Sequence, residues 1–242
     1  MTIVTINNCD YFPAIECALS QNSPAPGLLA VSHCISANQV IQAYQKGIFP
    51  WPDSDQQILW WTPDPRMVLY TNQFRINRSF SKTINQFLGN NRCQIRVNTN
   101  FYSVIDHCAN IARYKQNGTW IIPTLKGVYC QLNQQGYAHS IETWVDNRCV
   151  GGLYGVAMGH MFYGESMFSY QSNASKIALA ALVAYCRQQH VELIDCQQNT
   201  PHLASLGAQE ISREAFTKHL KINTSKPKLD WIFDKTILHT LL

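Results

Sequence analysis

The chain has 242 residues, 46% hydrophobic and 14% charged, which suits one large folded domain or a domain with a smaller companion and excludes a disordered chain. Its net charge of +4 is unevenly spread: residues 1–65 carry one base and five acids, residues 66–126 nine bases and one acid, and residues 127–242 nine of each. A basic excess confined to one segment, densest in RINRSFSK (75–82), suits a polyanion, most often nucleic acid, and equally a plain solvated face.

In chain order, SPAPG (23–27) reads as a loop. Ser36 caps a helix whose apolar positions Val40, Ile41 and Tyr44 recur at helical spacing, and Gly47 ends it. IFPWPDSDQQILWWTPDPR (48–66) holds three Trp and four Pro. Proline forbids a regular helix there, so the stretch is expected to be a rigid aromatic connector, with a domain boundary near residue 62. Residues 66–71 read as a strand. Residues 100–116 fit a helix with Phe101, Val104, Ile105, Cys108 and Ile111 on one face, and 124–135 fit a second, ended by Gly136. The period then changes to two. HSIETWV (139–145), CVGGLYGVA (149–157) and HMFYGESMF (160–168), joined by DNR and MG, read as a three-stranded meander. NASK (173–176) opens a helix to about Gln188, with Asn173 or Ser172 as its cap, and VELID (191–195) reads as a buried strand. This order predicts an α+β fold: a small N-terminal domain (1–62) and an acetyltransferase-like (GNAT-like) domain (63–242) with a mixed, mostly antiparallel sheet. In that architecture the last two strands splay apart and the gap holds the acyl donor.

Two carboxylates fall at the ends of elements expected to be neighbours. Glu165 is placed just past the third meander strand, and Asp195 at the end of the next one. If those strands are adjacent, both acids reach one crevice, where a carboxylate could hold an amine's cation or take its proton. A cap or a surface charge would account for either acid alone. Cys196 with His202 or His139 could instead form a thiol nucleophile and base, although a thiol directly after a buried strand is more often packed. The nine Cys are odd in number and lack C-x-x-C spacing, so reduced thiols and no zinc site are expected. The N-terminus MTIVTINNCDYF has no basic start or long apolar run, and no stretch nears the ~18 apolar residues that span a bilayer. A cytoplasmic protein with no membrane partner is therefore expected. SYQSNASK opens the late helix without the Gln/Arg-x-x-Gly-x-Gly/Ala loop that grips coenzyme A. Among other acyl carriers, aminoacyl-tRNA suits a basic segment.

At this point a resemblance is plain. AYQKGIFPW (43–51), ILWWTPDPR (58–66), RSF with Lys82, GTWI (118–121), AHSIETW (138–144), VGGLYGVAMG (150–159), GESMFS (164–169), NASK and IDCQ…HLASLGAQEI (194–211) resemble the leucyl/phenylalanyl-tRNA–protein transferase family over most of residues 27–216.

The resemblance implies transfer of Leu or Phe, and less well Met, from Leu-tRNA or Phe-tRNA to the N-terminal Lys or Arg of proteins, which marks them for N-end-rule degradation. It implies no cofactor and no metal, because the ester is already activated. Asp195 would orient Gln197, whose side chain helps take the amine proton, or the tRNA ribose would relay that proton. Glu165 would pair with the acceptor or support that network. Phe162, Met167, Leu179, Leu182 and Ile194 would line the donor side-chain pocket. Trp51 and Trp120, with Thr200, would meet the terminal adenosine, and Arg66, Arg75, Arg78 and Lys82 the acceptor-stem phosphates. Stacking and phosphate contacts bind with little regard to sequence. A monomer is expected.

Three departures stand out. LLAVSHCIS puts Ser32, His33 and Cys34 where the family has Gly-Gly-Asp, so the local loop is expected to differ. Asn199 stands one place early, with Thr200 in the family's Asn position. RINRSFSK is less basic than in many members. Two other readings share the residues: a related transferase with a different acceptor, such as a cell-wall precursor amine, and a tRNA-binding protein without turnover.

Overall fold

Two sheets organise the computed structural model, which describes residues 3–7, 11–52, 54, 56–112 and 119–242. The smaller sheet has β1 (Val4–Thr5), β2 (Leu28–Ser32), β3 (Phe49–Pro50) and β4 (Ile58–Trp61) in the order β1-β2-β4-β3. The stretch read as an aromatic connector therefore contains two paired strands. Proline is tolerated there because Pro50 sits at the end of a two-residue edge strand. Helix α1 (Ala37–Gln45) lies between β2 and β3. Ser36 caps it by accepting from the Gln39 N–H at 3.2 Å, and Gly47 follows it with φ +75°. Ser32 is buried, accepts a hydrogen bond from Trp60 Nε1 at 2.9 Å and donates to the Cys34 carbonyl at 2.8 Å, so this departure from Gly-Gly-Asp is absorbed by packing.

The larger sheet is built by β5 (Arg66–Tyr70), β6 (Cys93–Val97), β7 (Ala138–Val145), β8 (Arg148–Met158), β9 (Met161–Ser169), β10 (Leu193–Gln197) and β11 (Gln209–Ile211). Its order is β11-β5-β10-β9-β8-β7-β6. The meander forms as expected. Asp146 and Asn147 both take positive φ in its first turn, the geometry of a two-residue hairpin. All pairings are antiparallel except β9 with β10, which are parallel and joined through α5 (Ala174–Gln188). Asn173 precedes α5 in a left-handed conformation without the capping bond expected of its side chain. The strand read as 191–195 runs instead over 193–197, so it carries Asp195 in its middle.

The remaining helices are α2 (Arg78–Gly89), α3 (Phe101–Asn110), α4 (Pro123–Gln134), α6 (Pro201–Ser205) and α7 (Arg213–Asn223). Helix α3 is shorter than the expected 100–116, and residues 113–116 of that reading, with Gly118 of GTWI and Cys9, lie outside the described residues. Both faces of the large sheet are covered. Tyr154, Val156, Tyr163 and Phe168 pack with α1, α3 and α4. Leu153, Ala157, Phe162 and Ile194 pack with α2 and α5. Strand residues alternate between the two layers because successive side chains point to opposite faces.

Two register shifts interrupt the sheet where β9 meets β10. In the β8–β9 ladder Gly155 pairs with Gly164 and Tyr154 with Ser166, which leaves Glu165 as an extra residue. In the β10–β5 ladder Asp195 pairs with Val68 and Gln197 with Met67, which leaves Cys196 extra. The β9–β10 ladder itself has only Ile194 opposite Phe162 and Asp195 opposite Tyr163. Beyond that point the two strands part. Parity confirms the first bulge, since Phe162 and Met167 face the same layer although their numbers differ by five.

Candidate active site

Each of the two bulges re-aims one polar side chain. Glu165 lies within β9 rather than past its end, and it turns toward α1 and α4. Its Oε1 accepts from Tyr44 Oη at 2.6 Å and from Gln197 Nε2 at 2.8 Å, and its Oε2 accepts from Tyr129 Oη at 2.8 Å. The two phenols touch each other at 2.8 Å. Burial raises the Glu165 pKa to about 7, against the pull of the three donors, with the negative charge of Asp195 adding to the rise. Burial and the nearby Glu165 also raise both phenols well above their ordinary value, so they remain donors.

Asp195 is fully buried and plays a different part. Arg66 Nε and Nη2 donate to its two oxygens at 2.8 and 2.6 Å, a bidentate fork. Its Oδ1 also accepts from the backbone N–H of Gln197 at 2.9 Å, and Gln197 itself is held at φ +64°. The expected side-chain contact between Asp195 and Gln197 is thus replaced: the carboxylate holds the turn, and the Gln197 amide points to Glu165. Arg66 is 1% exposed, so it is withdrawn from the set of phosphate-binding residues. Its side chain is sandwiched between the Phe49 and Phe216 rings and donates to the Gly47 carbonyl.

On the α5 face a cavity of about 220 Å³ opens beside this network. Phe162, Met167, Leu179, Leu182 and Ile194 all line it, and Glu165 and Gln197 border it at the gap between the strands. Thr200 also borders it, and its hydroxyl oxygen caps α6 by accepting from the Leu203 N–H at 3.2 Å. Leu153 and Leu203, which the sequence did not single out, also line it, as do Cys196 and His202. Cys196 is held as a thiol: burial, and then Asp195, raise its pKa far above that of a free thiol, outweighing the pull of Arg66. His139 stacks on Trp231 and bonds Asn98, away from Cys196. No cluster of His, Cys, Asp or Glu that could hold a metal occurs among the described residues.

Trp51 and Trp120 are half-buried and pack on the core beside α1, α3 and α4, and neither borders the cavity. Arg75, Arg78 and Lys82 are exposed at and before the start of α2. Tyr44 and Tyr129 were not identifiable as site residues. Each occupies an apolar position of an amphipathic helix, and only the tertiary fold sets both against Glu165.

Comparison with known proteins gives this geometry a class. The profile described as Leucyl/phenylalanyl-tRNA protein transferase matches residues 68–221, and that of the N-terminal domain matches residues 34–64, so the chain is an aminoacyltransferase. Proteins named leucyl/phenylalanyl-tRNA–protein transferase from Burkholderia pseudomallei (strain 668) and Paraburkholderia xenovorans (strain LB400) are 51% and 50% identical to it, covering 96% and 95% of this chain and 91% and 94% of theirs. The chain belongs to the leucyl/phenylalanyl-tRNA–protein transferase family. A solved structure of L-PGS from Bacillus licheniformis aligns at 12% identity and a TM-score of 0.38, over 79% of this chain and 64% of that one, just under two thirds of its length.

Proposed function

We propose that the chain transfers Leu or Phe, and less well Met, from aminoacyl-tRNA to the N-terminal Lys or Arg of acceptor proteins. The observation that carries this reading is the apolar cavity of about 220 Å³ opening on Glu165 and Gln197 where β9 and β10 part. The donor side chain occupies that cavity, and apolar packing of this kind discriminates by only ~1–3 kcal/mol per methylene, which fits a shared Leu, Phe and Met specificity. On this reading residues 63–242 act as a GNAT-like domain whose strand gap holds the acyl donor, with residues 1–62 as a smaller unit; the parting of β9 and β10 supports it.

The acceptor α-amine attacks the ester carbonyl carbon. A C–N bond forms, the C–O bond to the ribose breaks, and the proton lost by the amine is balanced by the one gained on the ribose oxygen. Gln197, its NH₂ committed to Glu165, offers its carbonyl oxygen to the amine. Glu165, poised near neutrality, holds or takes the proton. Asp195 and Arg66 fix the turn that presents Gln197. Trp51, Trp120 and Thr200 meet the terminal adenosine, and Arg75, Arg78 and Lys82 meet phosphates. The protein works as a cytoplasmic monomer without a cofactor and marks acceptors for N-end-rule degradation.

The test is transfer of labelled Leu and Phe from charged tRNA to a peptide beginning with Lys, with an Ala-start peptide as control. Transfer to the Lys peptide alone, lost in Asp195→Ala and Gln197→Ala, is expected. Transfer to neither peptide while tRNA still binds would overturn the acceptor assignment.

A further inference from the structure

The segment after α7, residues 225–234, crosses the molecule without helix or strand and ends in a short 3-10 turn, Lys235–Leu241. It is nevertheless anchored. Trp231 stacks on His139 with ring centroids 4.4 Å apart and planes 16° from parallel. The same indole packs on Tyr185 of α5 at 4.8 Å and on Phe162 of β9 at 5.4 Å. Tyr185 Oη donates to the Asp230 carbonyl at 2.5 Å, and Phe233 stacks on Tyr185 at 4.5 Å. Lys235 ties the end of the strap to the carbonyls of Leu88 and Asn90.

Phe162 is the residue that gives this anchoring a meaning. It lines the cavity assigned to the donor side chain, whereas Trp231, His139 and Tyr185 do not. Trp231 therefore backs the cavity wall from behind. On another side, Gly155 leaves no room: a Cβ there would stand 2.5 Å from the Phe162 ring. Phe162 is thus clamped between a glycine strand and the indole of the strap, and a clamped aromatic wall fixes the depth of the space in front of it.

We propose that Trp231 is a positioning residue for donor selection, which sets how far the Phe162 wall reaches into the cavity and so the balance between the branched and the aromatic donor. The inference rests on the donor side chain occupying that cavity. Removing the indole opens space behind Phe162, the ring retreats, and the larger donor gains.

The test is kcat/KM for transfer of Phe and of Leu by the full chain and by Trp231→Ala, Trp231→Leu, Trp231→Phe and Phe233→Ala, with thermal melting to identify the folded variants. The Phe-to-Leu ratio should rise about ten-fold in Trp231→Ala, the low end of what an apolar pocket discriminates, and less in Trp231→Leu. Trp231→Phe should restore the original ratio, and Phe233→Ala, which removes a ring stacked on Tyr185 and not on Phe162, should leave it unchanged. If Trp231→Ala does not fold, the ordering of Trp231→Leu and Trp231→Phe decides. Equal losses for both donors in every Trp231 variant would make the strap purely structural and overturn the proposal. If the unmodified protein transfers neither donor, the cavity assignment fails first and this inference falls with it.

Discussion

Arg66 and Asp195, 129 residues apart in the chain, meet as a two-pronged ion pair with almost no exposure on either side chain. Such a pair is costly to bury and more costly to break, because removing one partner leaves an unpaired charge in the interior. Arg66→Met should lower stability by ~3–5 kcal/mol. Arg66→Lys should lose much of the same, since an ammonium cannot reproduce the fork or its sandwich between two rings. Denaturant midpoints measure this, and an unchanged midpoint in Arg66→Lys would contradict the assignment of the pair. Replacing both partners, Arg66→Met with Asp195→Leu, should recover stability but not transfer, because the Gln197 turn has lost its anchor.

On the proposed mechanism Glu165 should give the reaction a pH signature. Its carboxyl is raised to about 7, so it passes from acid to anion across neutrality and transfer should rise with pH through that region. The acceptor amine titrates near ~8 in the same direction, so the profile carries two limbs. Glu165→Gln should remove the lower limb and leave the upper. A profile identical in shape to that of the unmodified protein would show that Glu165 does not titrate during the reaction.

His139 sets an acid limit on stability. Burial lowers it from 6.5 to about 4, so the folded state keeps it neutral while the unfolded chain binds a proton sooner. Its contribution is complete above pH 6.5 and is lost as pH falls toward about 4, which amounts to ~3 kcal/mol over that window. His139→Phe preserves the stack on Trp231 and should flatten the stability profile there. Chemical denaturation at pH 7 and pH 4.5 distinguishes the two.

The basic residues that remain exposed should act together through salt. Single Ala substitutions of Arg75, Arg78 and Lys82 should each weaken tRNA binding and reduce the slope of log affinity against log salt by roughly one. Arg66 should not alter that slope in any variant that folds, because its charge is spent internally. Filter binding over a salt series reads this directly. A full slope in the triple variant would move the tRNA path elsewhere.

Periodicity made much of the central fold legible. The meander, α1, α4, α5 and the strand bearing Asp195 follow from alternation, capping and Gly terminators. The edge strand β11 left no such trace, because three residues are too few to show a period. The bulges were illegible for a different reason: an extra residue is defined only against a partner strand, and no partner is visible in one sequence. The turn of Glu165 out of the alternation in HMFYGESMF is therefore visible only against β8. The role of Arg66 was hidden likewise. In sequence it is one more base in a basic segment, and only the fold surrounds it with Phe49, Phe216 and Asp195.

The two extra residues in β9 and β10 form paired dislocations in the lattice of backbone hydrogen bonds. A dislocation cannot be smoothed away by shifting side chains, since its existence depends on the number of residues in the row. The opening that holds Glu165 against Gln197 is therefore counted into the polypeptide rather than held by a movable lid. Deleting one residue, at Glu165 or at Cys196, would heal a row and draw the strands together, whereas changes in the surrounding loops would leave the aperture in place.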